Sequence, residues 1–134
     1  MERLEMLIKG GIAAGGGVIA YWLGGLDQLL ITLMFLMVLD YITGVLKAIH
    51  NKCLSSEIGA KGIAKKVLKL CIVALAFVIE DLTSQSLPLR EIVIMFFIAN
   101  EGLSVLENYA ATGMKVPEPL KKVLIQIQGE EKSE

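Results

Sequence analysis

The charges in this chain are segregated from its apolar residues, and that constrains the fold more than any motif does. All 13 Lys and Arg residues lie outside the apolar runs or near their ends, and all but Arg90 fall into three clusters. The first is Arg3 and Lys9. The second is Lys47, Lys52, Lys61, Lys65, Lys66 and Lys69, and the third is Lys115, Lys121, Lys122 and Lys132. Between them run apolar stretches at 6–26, 29–46, 67–82 and 92–111. Residues 10–26 and 28–39 hold no charge at all, whereas a soluble bundle places polar residues every three or four positions along each helix. If the runs cross a membrane, all three clusters face one side, and cytoplasmic loops carry that excess of Lys and Arg.

The expected fold is therefore an all-α integral membrane protein. It is a single membrane domain over 1–134, with about four transmembrane helices, a C-terminal amphipathic interfacial helix, and both termini cytoplasmic. A span needs about 20 mostly apolar residues to cross roughly 30 Å of hydrocarbon. The first two runs meet that if Asp40 is tolerated. The third and fourth are marginal, so three spans plus an interfacial helix is the fallback. The mean hydropathy of +0.64 is high for a soluble domain with 20% charged residues. A cleaved signal peptide is disfavoured, because no small-x-small site follows the first run cleanly and three further apolar runs do.

Small residues crowd the first run. Gly11 and Gly15 form one four-residue spacing, and Gly16, Ala20 and Gly24 another. In lipid such stripes let helix backbones approach closely, so they predict a packing or self-association seam. Tyr21 and Trp22 suit the outer interface. A short turn over 24–28 then returns the chain as an antiparallel pair. The second run ends with Asp40, Gly44 and Lys47 on one helical face.

A basic cytoplasmic loop is expected over 47–66. Gly59 and Gly62 would break helix there, and Lys47, Lys52, Lys61, Lys65 and Lys66 would meet anionic headgroups. Nucleic acid is a poor partner for this patch, which lacks interleaved aromatics and adjoins two spans. The outer loop over 80–91 is acidic. In the fourth run Asn100, Glu101, Ser104, Glu107 and Asn108 share one arc of roughly 120°. Beyond Pro117, the residues Leu120, Val123, Leu124 and Ile127 recur at helical spacing beside Lys121 and Lys122. They predict a surface helix over 119–128 with Pro119 in its first turn.

No catalytic constellation, metal-ligand cluster or phosphate-binding glycine loop is present in the sequence, so neither an enzyme nor a cofactor is expected. Cys53, Cys71 and His50 lack partners at ligand spacing and read as ordinary side chains. The intramembrane acids carry the information, since a carboxylate at helix centre costs about 2.5–3.5 kcal/mol on insertion scales. Asp40 lies about 9 Å inside its run, with Glu101 at comparable depth, and Lys69 is the expected partner of Asp40. Asp40, Asn100, Glu101, Ser104 and Glu107 are thus candidates for a pore lining or an interhelical polar seam. Gly44 joins the first-helix glycines as a packing residue.

The order of motifs resembles a known family. The segment Asp40-Tyr41-Ile42-Thr43-Gly44-Val45-Leu46-Lys47-Ala48-Ile49 is followed by Ser55, Ser56, Gly59, Gly62, Ile63, Lys65 and Lys66. Then come Asn100, Glu101, Ser104, Leu106, Glu107 and Asn108, and finally Gly113, Val116, Pro117, Pro119 and Leu120. This is similar to the phage-lysis and toxin-secretion holins of the bacteriophage holin family 4 type, over about residues 40–127. The pair Glu118-Pro119 departs from the family, where a basic residue often precedes the leucine. The glycine-rich first helix lies outside the resemblance.

The resemblance implies a homo-oligomer in the bacterial cytoplasmic membrane. It would open lesions at a set time and release an endolysin, or a large toxin, without necessarily binding it. A few charges over many subunits could couple opening to voltage, at about 2.3 kcal/mol per charge per 100 mV. Met1 and Met6 offer two possible starts. A four-span multidrug transporter is the rival, although the first run holds no acid beyond Glu5. A non-pore membrane adaptor is the other.

Overall fold

The computed structural model describes residues 1–84 and 87–129. Lys132, the tail over 130–134 and residues 85–86 lie outside the described residues. Five helices follow one another: α1 (Glu2–Trp22), α2 (Gln28–His50), α3 (Ser56–Leu82), α4 (Leu89–Ala110) and α5 (Glu118–Gln128). Among the described residues there is no strand.

Helix α2 starts where the Asp27 carboxylate accepts the Leu30 N–H at 3.0 Å, an N-cap that satisfies one of the helix's free donors. Its buried stripe is Leu30, Leu33 and Met37. Helix α4 answers with Ile94, Ile98 and Ala99, and Val73 and Ala76 enter from α3. With Leu23, these residues form the apolar core. Helices α2 and α4 run parallel, because α3 crosses between their ends. Both their stripes are apolar in the middle and polar at each end.

The outside of the bundle is apolar. On α2 alone, Ile31, Met34, Phe35, Val38, Ile42 and Leu46 are all exposed, far more contiguous apolar surface than a soluble monomer shows. Helices α1 and α2 are long and apolar enough to cross a membrane by length and composition. Helices α3, with 27 residues, and α4, with 22, have the length at 1.5 Å per residue. Their charged residues keep them from meeting the apolar criterion that α1 and α2 meet.

Three expectations change. The stretch 47–66 is mostly helix: α2 continues to His50 and α3 begins at Ser56. The Ser55 hydroxyl caps Ile58 N at 3.5 Å, and Glu57 pairs with Lys61 at 3.3 Å across one turn. These local contacts offset only part of the helix cost of Gly59 and Gly62, about 1 kcal/mol each; the segment is helical because it continues into the packed part of α3, where Val73 and Ala76 are buried. Gly24 lies beyond the end of α1 at φ +85°, and a side chain there would strike Arg90 and Phe77. It is a turn glycine rather than part of a helix stripe. Helix α5 has Pro119 in its first turn and folds back on α4, where Gly102 admits Leu124: a Cβ at Gly102 would lie 2.9 Å from that side chain.

Helix α1 stands apart. None of its residues is buried, and Gly10, Gly11, Gly15, Gly16 and Gly17 have no neighbour within 4 Å of a Cβ position. It meets the bundle at its outer end, where the Tyr21 ring lies 6.5 Å from that of Phe77 and Leu23 enters the core. Within one chain the small-residue stripe packs against nothing.

Candidate functional site: a balanced ion cluster inside the bundle

Near the middle of α2, α3 and α4, charged side chains meet under the apolar surface. Lys66 Nζ donates to Asp40 Oδ2 at 2.6 Å and to Glu101 Oε2 at 3.0 Å. Lys69 Nζ donates to Glu101 Oε1 at 2.7 Å and to Asn100 Oδ1 at 2.6 Å. Glu101 is fully buried, so each of its oxygens carries one ammonium. The Asn108 amide nitrogen donates to Asp40 Oδ1 at 3.0 Å, to the Asp40 main-chain oxygen at 3.2 Å and to Thr43 Oγ1 at 2.9 Å. Two carboxylates face two ammoniums, and the charge sums to zero. No buried side-chain polar atom among the described residues lacks a partner.

Helical spacing explains the assembly. Lys66 and Lys69 are three residues apart on α3 and point to one side. Glu101 and Asn108 are two turns apart on α4. Asp40 and Gly44 are one turn apart on α2, and the missing side chain at Gly44 leaves Asn108 Nδ2 3.7 Å from where a Cβ would sit. A second polar knot closes the outer end. The buried Arg90 guanidinium donates to Asp27 Oδ2 at 2.6 Å, to the Gly25 oxygen at 2.9 Å and to the Leu23 oxygen. That hydrogen bond holds the Asp27 carboxyl below its ordinary range.

The structure joins some of the expected site residues and separates others. Asp40, Asn100, Glu101 and Asn108 converge, and Ser104 is half-buried beside them, while Glu107 is exposed. The expected pairing of Lys69 with Asp40 does not occur: Lys66 takes Asp40, and Lys69 takes Glu101. Lys66 therefore belongs to the bundle interior, not to a headgroup-binding loop. Of the other loop lysines, Lys52 and Lys65 are exposed, Lys61 pairs with Glu57, and Lys47 is half-buried. Ser55 is a helix cap and Ser56 begins α3. Gly59 admits the Tyr41 hydroxyl, which lies 3.2 Å from a Cβ position, and Pro117 precedes α5. Arg90 was visible in the sequence only as the one cation away from the basic clusters. Asp27, in the short turn between two runs, was the signal that could have paired it. Among the described residues no group of His, Cys, Asp or Glu could hold a metal.

A helical chain with an apolar exterior, a charge-balanced interior and two helices able to cross a bilayer defines a class of small membrane protein. The chain belongs to the bacteriophage holin family, which matches residues 17–129. A probable holin of Bacillus phage phi105 is 38% identical over 98 residues, covering 73% of this chain and 72% of that protein. An uncharacterised Listeria monocytogenes protein is 41% identical over 122 residues, 91% of this chain and 87% of its own length. An uncharacterised 14.9 kDa protein in the nagH 3′ region of Clostridium perfringens is 41% identical over 128 residues, 95% of this chain and 97% of its own. No solved structure matches the chain. The family points to a non-enzymatic membrane protein.

Proposed function

We propose that this chain is a holin that oligomerises in the bacterial cytoplasmic membrane and opens pores that release an endolysin, or a large toxin, at a set time. Family membership supports the class. The observation that carries the pore is the buried cluster of Asp40, Lys66, Lys69 and Glu101. Isolated charges inside a membrane are costly, and they mark water-filled paths or internal pairs. Four spans with both termini cytoplasmic fit the same cluster. Lys66 and Lys69 of α3 and Glu101 of α4, the charges nearest the middle of these helices, are balanced together with Asp40 inside the bundle.

The test is induced expression in a bacterium holding a cytoplasmic cell-wall hydrolase that lacks its own export signal, with optical density and membrane potential followed together. Abrupt loss of potential followed by lysis, only when both proteins are present, is the expected result. Loss of potential without lysis would reduce the pore to ion size. No change in either would leave the transporter and adaptor readings.

A further inference from the structure

The ion cluster is partitioned between helices. Both acids sit on the parallel pair α2 and α4, as Asp40 and Glu101, and both cations sit on α3, as Lys66 and Lys69. Among the described residues, every side-chain hydrogen bond from α3 to that pair is made by one of these two lysines. Helices α2 and α4 have ties of their own that do not involve α3. Asn108 bonds Asp40 and Thr43 at the inner end, and Arg90 bonds Asp27 and the preceding turn at the outer end.

The apolar packing of α3 against α2 is incomplete. Two grooves open to the bundle surface, of about 310 and 250 Å³, lie along that seam, and Tyr41 and Lys66 line both of them. Gly62, on the α3 wall of the larger one, has nothing within 4 Å of a Cβ position. Side chains that line an open groove have no partner across it, so the α2 side of α3 adheres weakly for its length. Lys66 lines both grooves and bridges to both acids.

We infer that Lys66 and Lys69 are a latch: they hold α3 against the α2–α4 pair in the closed protomer, and release of α3 bares Asp40 and Glu101 to water. This rests on the pore reading and adds to it the element that moves and the residues that restrain it. A carboxylate face left without its cations is unstable in lipid and stable against water, so detachment of α3 and formation of a wetted lumen favour each other.

Charge balance makes the latch testable. Lys66→Met leaves the cluster with one excess negative charge. Asp40→Asn combined with Lys66→Met returns it to zero, with Glu101 and Lys69 still paired. The first readout, which needs no pore, is hydrogen exchange on the purified full chain in detergent micelles. Lys66→Met is expected to lose amide protection along α3 while α2 and α4 keep theirs, and the double variant is expected to regain it. Equal loss in all three helices, or a double variant no better protected than the single one, overturns the latch.

The second readout is the time at which membrane potential collapses, at matched protein levels by immunoblot. Lys66→Met is expected to collapse it earlier than wild type, and the double variant closer to wild type. An unchanged or later collapse for Lys66→Met overturns the link between α3 and opening. A wild-type chain that never collapses the potential removes the pore reading, and the exchange measurement still decides the latch.

Discussion

Asn108 reaches across 68 residues of sequence to bond both the carboxylate and the main-chain oxygen of Asp40, at 3.0 and 3.2 Å. One amide group thereby fixes the rotation of α2 against α4 and orients the carboxylate that Lys66 binds. Asn108→Ala removes these bonds and leaves one Asp40 oxygen short of a donor. It is expected to lower stability by about 1–3 kcal/mol, read as a lower thermal midpoint in detergent micelles.

The acids of α4 differ in weight. Glu101→Leu leaves Lys69 without a carboxylate and Lys66 with Asp40 alone, and breaking a buried pair in this way costs about 3–5 kcal/mol. Glu107 is exposed with no ion pair among the described residues, so Glu107→Gln should stay within about 0.5 kcal/mol of wild type. Side-by-side thermal melts separate them, and equal losses would contradict the placement of Glu101.

The outer knot predicts an acid sensitivity. Arg90 holds the Asp27 carboxyl below its ordinary value of 3.8. The ionised pair therefore contributes stability fully above that value and loses the contribution as pH falls through the lower, folded one. Because Asp27 is about half exposed, the contribution is modest, under about 1 kcal/mol. Asp27→Asn keeps a helix cap and removes the titration. Its melting temperature should fall less than that of wild type between about pH 5 and 3.

The glycines of α3 should respond in opposite directions. Gly62→Ala adds a methyl group into open space and removes helix entropy, and it should stabilise by about 0.5–1 kcal/mol. Gly59→Leu would push into the Tyr41 hydroxyl, already 3.2 Å from a Cβ position, and overpacking of that kind costs about 1–3 kcal/mol. Thermal melts of the two variants check the sign of each.

The stripe on α1 gives a different kind of result. Gly11→Leu and Gly15→Leu meet no neighbour within the chain, so they should not destabilise the protomer, and the helix-propensity gain should if anything strengthen α1. If α1 packs on a second copy, close backbone approach is lost, and crosslinked oligomers in membranes should fall while the monomer stays folded.

Much of this architecture is legible in the sequence because helical periodicity and charge segregation are local signals. The bounds of α5 and the shared face of Asn100, Glu101, Ser104 and Asn108 on α4 follow from spacing alone. Partner choice does not. Lys66 and Lys69 differ by one helical turn, and a flexible four-carbon stem lets either reach Asp40 or Glu101. Only the offset of α3 against its neighbours decides between them. Reading 47–66 as a loop gives Gly59 and Gly62 their usual helix-breaking weight, whereas the Ser55 cap, the Glu57–Lys61 pair and the continuation of α3 into its packed half together keep the segment helical. Arg90 stayed hidden for the same reason as the lysine pairing: its acceptors lie more than 60 residues away.

Knots at both ends also give the α2–α4 pair a mechanical character. A slide of one residue, about 1.5 Å along either axis, would break the Asp27–Arg90 and Asp40–Asn108 bonds together, so shear between the two helices is blocked. The pair behaves as a doweled strut: it can tilt or travel as one piece, but it cannot shorten or slip. Any ring assembled from such struts has a wall of fixed height, and its circumference is set by how many struts it recruits.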